Sequence, residues 1–599
     1  MSRLRFVPDA DVAQLPEAWR PLERTLYRWL RQCGASRLTA TIASWTSHAE
    51  SAGHTALDLR EPPLLEMHGL DSKAIEALGS DSGFVGDGNG PPTALVLDAA
   101  ARVSLWRNHV DERTLASALL GRRNSSPLGD GADVETKLDE LFQGRRDHAA
   151  DKQRQAVVGV LGKRLFVLTG GPGTGKTTTV LRMLLMLQRY RSSPMEVAVS
   201  APTGKAAQRL RQALREGRQS LQSGDATLGI PPLTADWEAS LACLPDGEAV
   251  TLHRLLGFEP HADRFARGPQ NPIPADVVVV DEASMADLRM MRTLLDALRT
   301  DALLILVGDA DQLTSVAAGS ALMDIVGAME GGAQLVRLQH SFRAEKQLQV
   351  INEAIRCGEP LALGEAVDAA GIRARTIVVE DEQALATEVD EWARQLAVAG
   401  HRDESHAAPD ESALAGLRQL GARQLLCALR QGAFGARAVN SRIESRLRKA
   451  WGVAQDAQWY AGRAVLITHN DYETGLFNGD VGLCQVDGTG ELRVWFETVM
   501  PDGSPGARSI APALLPEHEG AFAITIHKSQ GSEYDHVAVL LPPEAGNRIL
   551  SRQLLYTGTS RARQSLEIWS SPASLEACVR TAVRRMGGLA GKLGQWQSE

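Results

Sequence analysis

The string GGPGTGKTTT occupies residues 170–179. Gly170, Gly175, Lys176 and Thr177 satisfy the spacing G-x-x-x-x-G-K-[ST], which lets backbone N–H groups close around phosphate oxygens. Gly171, Pro172, Gly173 and Thr174 complete the cradle, and Thr178 follows in the expected helix. The apolar run RLFVLTG precedes the loop, and an amphipathic pattern begins at Lys176. The loop therefore joins a strand to a helix whose positive end faces the anion. In that setting Lys176 supplies charge to the β- and γ-phosphates, and the Thr177 hydroxyl ligates Mg²⁺. ATP with Mg²⁺ is the expected ligand pair.

A second stretch, VVVVDEAS at 277–284, ends a buried strand in two carboxylates. Asp281 is placed to hold Mg²⁺, and Glu282 to orient and deprotonate an attacking water. The paired acids favour hydrolysis over phosphoryl transfer to a small molecule. Gln153, in DKQRQAV just before the first strand, has two readings: an adenine-edge contact or a solvated helix residue.

The elements that must position these groups follow from the pattern around them. Between about 150 and 345, apolar strands alternate with amphipathic helices, which implies a parallel sheet covered by helices. Residues 216–250 are polar and irregular, and 259–275 are rich in Pro and Gly; both read as insertions or surface loops. A second α/β block runs from about 351, with strands RQLLCAL, HVAVLLP and SLEIWSS. Within it, RAVLITH, VGLCQV and ELRVWFE, separated by NGD and DGTG turns, predict a small β-barrel inserted over 455–520. Residues 1–115 read as helices with one short strand, TALVLDAA, and 80–92 and 401–412 as loops.

The chain has 599 residues, enough for about three to five domains. No apolar run approaches the length of a membrane helix, and the N-terminus lacks the apolar stretch of a signal peptide. The six cysteines contain no CxxC pair, which suits a reduced, cytoplasmic compartment. A net charge of −9 excludes a globally basic nucleic-acid coat, but not a locally basic channel.

Further motifs stand in a fixed order: APTGKAAQRL (201–210), TLHRLLG (251–257), LVGDADQLTSVAAGSAL (306–322), HSFRA (340–344), TIHKSQGSEYDHV (525–537) and LLYTGTSRAR (554–563). With the phosphate loop and the DEAS strand, this series resembles the superfamily 1 helicases of the 5′-to-3′ branch. Within them the phrases GGPGTGKTTTV, GDADQLTSVAAGSAL, GLFNGDVG and TIHKSQGSEYDH are similar to the RecD family, the alpha subunits of exodeoxyribonuclease V. The resemblance is weakest in 1–90 and 365–420, and the N-terminal region has little room for a helix-hairpin-helix extension.

The resemblance implies an α/β fold: two RecA-like P-loop motor domains (116–350 and 351–599) with parallel sheets, a helical N-terminal domain (1–115) for partner docking, and an SH3-like β-barrel insertion. It implies that Gln312 senses the γ-phosphate, that Arg343 and Arg561 act as arginine fingers, and that Glu533 holds the ribose. It assigns DNA contacts to Thr203, Lys205, His253, Thr525, His527 and Lys528. Two arginine-rich helices, with Arg209, Arg211, Arg215 and Arg218 in one and Arg437, Arg442, Arg446, Arg448 and Lys449 in the other, read equally as phosphate contacts or as solvated faces. The sequence does not identify a strand-separating pin; the insertion at 216–250, with Trp237, is a candidate.

The implied activity is an ATP-dependent 5′-to-3′ DNA helicase acting on single strands and duplex ends, in a heterotrimer with RecB-like and RecC-like subunits. No separate carboxylate–lysine cluster suggests a nuclease site in this chain. A stand-alone helicase and a regulatory ATPase switch are the alternatives.

Overall fold

The computed structural model describes residues 15–62, 64, 67–123, 131–143, 148–224, 232–244, 249–259, 261–315, 317–342, 345–400, 409–471, 473–500, 504–583 and 585–597. The expected loop at 401–412 lies mostly outside them.

The architecture is α/β, built on parallel sheets. A six-stranded sheet runs in the order Leu335–Leu338, Leu165–Gly170, Leu303–Gly308, Val277–Val280, Val197–Ala201, Ala249–Thr251. Every recorded pairing in it is parallel. Three of its strands are apolar without alternation because both faces are covered by helices. Alternate residues feed two separate layers. Phe166, Leu168, Val277 and Val279 face one core, while Leu165, Val167, Val278 and Val280 face the other. Because the strands are parallel, their C-terminal ends share one edge, where the phosphate loop, Asp281 and Asp309 emerge together.

A second parallel sheet has five strands, ordered Ala374–Val378, Ala562–Ser570, Tyr534–Leu540, Arg423–Cys427, Ala523–Thr525. After Arg423–Cys427 and the helix Ala436–Ala450, the chain leaves this sheet. It forms a five-stranded antiparallel sheet from Ala464–Ile467, Val481–Val486, Leu492–Val499, Pro505–Ile510 and His518–Gly520, then returns at Ala523. The excursion has its own small core, with Val465, Ile467, Cys484, Val494 and Phe496.

The N-terminal region holds more than the expected helices and one strand. Helices Pro21–Cys33, Arg37–Ser51 and Ser72–Gly79 accompany a four-stranded sheet of Leu57–Asp58, Arg102–Leu105, Leu95–Leu97 and Val85–Gly86. These strands have two to four residues each, too short for an alternating pattern to emerge from sequence.

The stretch 216–250 is more regular than its composition suggests. Helix Gly204–Ser223 runs into it, burying Leu210, Leu214 and Leu221, and a second helix covers Ala235–Ala242. Trp237 corrects the sequence reading most sharply. Its ring is fully buried in the core of the first sheet, and its Nε1 donates to Glu140 Oε2 at 3.1 Å. A side chain so enclosed cannot split a duplex; it anchors the Ala235–Ala242 helix. In 259–275 a two-stranded ribbon forms, pairing Phe258–Glu259 with Arg264–Phe265. No helix of the described residues is long and apolar enough to cross a membrane.

Trp237→Ala should therefore cost about 3–5 kcal/mol of stability, as for other large-to-small core changes, read as a lowered urea midpoint of the first sheet. A surface pin would show no such loss.

Candidate active site

The phosphate loop leaves Gly170 at the sheet edge and enters helix Lys176–Arg189 through Gly175, which has φ +80. No side chain caps this helix, so its first N–H groups stand open to an anion. The Lys176 ammonium donates to the carbonyls of Gly170 and Gly171, at 2.8 and 2.9 Å. Thr174 Oγ1 closes the loop onto Gly171 O at 2.9 Å. Thr177 and Thr178 are half-buried beside it. Gln153 Nε2 lies 2.7 Å from where a Cβ on Gly175 would stand, and Gln153 Oε1 accepts from Arg182 at 3.3 Å. Gln153 is thus a buried residue against the loop, not a solvated one.

Asp281 lies beside the loop at the end of the Val277–Val280 strand, two strands away from it. Its enclosed position and the neighbouring Glu282 push its carboxyl up to about 6, against the opposing charge of Lys176. Glu282 has φ +51, a left-handed conformation uncommon outside glycine. Such strain persists only where the surroundings impose it.

Across the cleft, helix Arg552–Thr559 and the turn after it bring second-sheet residues onto the first. The Arg561 guanidinium is buried and donates to Gln312 Oε1, to Thr557 O at 2.9 Å and to Ser532 O at 3.3 Å. Gln312 in turn donates through Nε2 to Asp309 Oδ2 at 2.9 Å. Tyr556 OH donates to the same oxygen at 3.1 Å. Burial and Asp309 raise that phenol well above its ordinary value, so it stays a donor. The hydroxyl also stands 2.9 Å from where a Cβ on Gly171 would be, so a side chain there would have to displace it. Leu313 is gripped by both its backbone groups: N–H to Thr557 Oγ1 at 2.8 Å, and O from Gln530 Nε2 at 3.0 Å.

Arg343 lies outside the described residues. The two residues before it rest on the phosphate loop: Phe342 N–H donates to Gly173 O at 2.9 Å and Ser341 Oγ to Pro172 O at 3.2 Å. Glu533 accepts two bonds from Arg563, at 3.1 and 3.0 Å. Asp309 and Tyr556 went unassigned in the sequence although both sit inside recognised motifs. Tyr556 had one available signal, an aromatic five residues before Arg561 in a chain with few aromatics.

The expected nucleic-acid residues occupy the ends of strands in both sheets. Thr203 caps helix Gly204–Ser223 by accepting from Ala206 N–H at 3.2 Å. Lys205 is enclosed against the antiparallel sheet, near Gly479 and Asp480. Burial, then the charge of Arg209, push it down to about 8. Thr525 ends its strand, and His527 and Lys528 follow in a short 3₁₀ turn. Burial and the charge of Arg585 lower the His527 imidazole, so it is neutral at pH 7. Lys528 donates to Glu519 at 2.6 Å. His253 is exposed, its ring edge-on to Phe258 at 5.4 Å between centroids. Arg209 donates to Gly531 O, which joins the first group to the second.

Several of the surrounding arginines have structural partners. Arg211 and Arg218 donate to Ala249 O and Leu244 O, at 2.9 and 3.1 Å. Arg442 and Arg446 both grip Asp390, and Arg448 bonds Glu444 at 3.0 Å. For these five, the charge run holds the fold together.

Known proteins match this frame. The AAA domain family matches residues 153–318, and the UvrD-like helicase C-terminal domain family residues 520–568. The RecBCD enzyme subunit RecD of Mycobacterium tuberculosis is 39% identical over 448 residues, 73% of this chain and 72% of its own. That of Haemophilus influenzae is 32% identical over 508 residues, 77% of this chain and 75% of its own. The ATP-dependent RecD2 DNA helicase of Deinococcus radiodurans is 30% identical over 488 residues, 80% of this chain and 57% of its own. A match of that depth and extent settles the family: the chain belongs to the RecD subunits of RecBCD enzymes.

Proposed function

We propose that this chain is an ATP-driven 5′-to-3′ DNA helicase, working with RecB-like and RecC-like subunits to unwind and process double-strand ends for recombinational repair. The observation that carries the reading is the buried chain Arg561–Gln312–Asp309–Tyr556, which joins two parallel sheets at the rim of a phosphate loop. A motor needs the second sheet to feel what the loop holds. The direction of travel comes from the resemblance to the 5′-to-3′ branch and the partners from the relatives' names, and neither follows from the chemistry of the site.

In this reading residues 116–350 and 351–599 are RecA-like motor domains, 455–520 form an SH3-like barrel, and 1–115 dock partner subunits in the cytoplasm. The open N–H groups of the loop, the Asp281 carboxylate and the neighbouring Glu282 fit a nucleoside triphosphate with its metal. Thr177 and Asp281 would hold Mg²⁺, which supplies neutralising charge to the phosphates. Lys176 exchanges its two carbonyl partners for phosphate oxygens. Glu282 takes the proton of the attacking water, and Gln312 reports the γ-phosphate to Arg561. Arg343 and Arg561 stabilise charge as it develops on the transferred group. Gln153 lies against the base, and Glu533 exchanges Arg563 for the ribose.

Thr203, Lys205, His253, Thr525, His527 and Lys528 follow a single strand along the upper edge of both sheets without reading its sequence. Lys528 must release Glu519 to do so.

Lys176→Gln should reduce single-strand-stimulated ATP hydrolysis by about 100-fold or more and abolish unwinding; survival of both would sink the motor assignment. Tyr556→Phe should lower kcat by about tenfold with little change in KM, since it removes one bond to a charged acceptor. Strand displacement should proceed on duplexes with a 5′ tail; a preference for 3′ tails would overturn the direction.

A further inference from the structure

The chain does not end at the second sheet. After helix Pro572–Arg580, the last segment crosses back to the first sheet and ends in helix Leu589–Leu593, packed with Trp596 in that sheet's core. At its start the segment holds the helix that carries Tyr556. Arg552 N–H donates to Thr581 O at 2.7 Å, and Val583 N–H to Gln553 Oε1 at 2.8 Å. Two residues later Arg585 reaches the loop after Gln312. Its guanidinium donates to Ser315 O at 2.6 Å and to Ala317 O and Gly319 O, both at 2.8 Å.

Three carbonyls around one cation fix a loop whose described residues form no helix or strand. Among the described residues Arg585 has no carboxylate partner, so its charge is spent on those carbonyls and on its neighbours. One neighbour is His527, whose imidazole feels the Arg585 charge. The guanidinium lies flat on Gly53, where a Cβ would stand 2.9 Å from Cζ. Gly319 N–H donates to Gly53 O at 3.0 Å. Beyond it, Met586 O accepts from Thr55 and Ala56, and Met586 N–H donates to His54 Nδ1 at 3.0 Å. The buried carboxylate Glu112 gathers Thr55 Oγ1, Gly588 N–H and Lys592.

We infer that Arg585 is a positioning residue, through which the C-terminal strap ties the helix of Tyr556 to the loop after Gln312, itself bonded through Leu313 and Gln530 to the end of the His527 turn, coupling hydrolysis to strand movement. Its hydrogen bonds go to the carbonyls of Ser315, Ala317 and Gly319, not to a residue of the proposed nucleotide or DNA path, and it acts by fixing the spacing across which Arg561 meets Gln312. The inference rests on the motor reading.

The test compares the full-length wild-type chain with Arg585→Ala, Arg585→Lys and Arg585→Gln, measuring ATP hydrolysed per base pair of 5′-tailed duplex displaced. Arg585→Ala should raise that ratio about fivefold, the worth of a hydrogen bond or so, with KM for ATP nearly unchanged. Arg585→Lys, which keeps the charge and donors, should restore most of the coupling. A purely structural role lowers hydrolysis and displacement together and leaves the ratio fixed; that result overturns the inference. Should Arg585→Ala not fold, the Lys and Gln variants decide: a higher ratio for Gln supports the coupling role, and equal ratios overturn it. Failure of the motor reading itself is seen separately, as hydrolysis that survives Lys176→Gln.

Discussion

The guanidinium of Arg561 is the point on which the two parallel sheets are registered. It is 2% exposed, and among the described residues no carboxylate bonds it directly. Burying such a charge is costly unless its donors are met. Here they are met by Thr557 O and Ser532 O on its own side of the cleft, and by Gln312 on the other. The nearest anion in the chain of bonds is Asp309, one amide away. Separating the two sides would strip the guanidinium of Gln312 and take Tyr556 from Asp309, which would keep its bond from Gln312. The relative placement of the sheets and the polar satisfaction of their buried seam are therefore one constraint.

That constraint explains why both sheets present ends rather than faces to each other. The first offers the C-terminal edge of its strands, where loops diverge and backbone N–H groups point outward. The second offers the turn between helix Arg552–Thr559 and strand Ala562–Ser570. Residues of different motifs meet there because each motif is the exit from, or the entry to, a strand. Leu313 shows the economy of the arrangement. A single residue after Gln312 makes two bonds with the second side, its N–H donating to Thr557 Oγ1 and its O accepting from Gln530 Nε2.

The parallel sheets were legible in the sequence because strands buried on both faces carry unbroken apolar runs, as at 277–280 and 303–307. The phosphate loop was legible because its glycines answer to backbone geometry. What stayed hidden has physical reasons. Trp237 lies in a polar stretch, and only the packed helix shows that its ring is core while its neighbours face out. The arginine helices read alike whether they meet phosphate or protein, since a guanidinium satisfied by Ala249 O or Asp390 leaves no mark on spacing. Arg585 gave no signal at all: its partners are carbonyls, which every residue possesses. The short N-terminal strands escaped for want of length.

The antiparallel sheet departs from and rejoins the second parallel sheet at strands Arg423–Cys427 and Ala523–Thr525, which are themselves paired neighbours. An excursion with adjoining roots can grow or shrink at little entropic cost to its host, because closure entropy rises only slowly with length. Its far end does not hang free. Phe477 leans over Gly204, 2.8 Å from where a Cβ would stand, and Gly479 lies along Lys205. The excursion is thus a cantilever, rooted in one lobe and resting its tip on the strand-end of the other. With no gap between them, the tip and the backbone that begins helix Gly204–Ser223 cannot shift independently of one another.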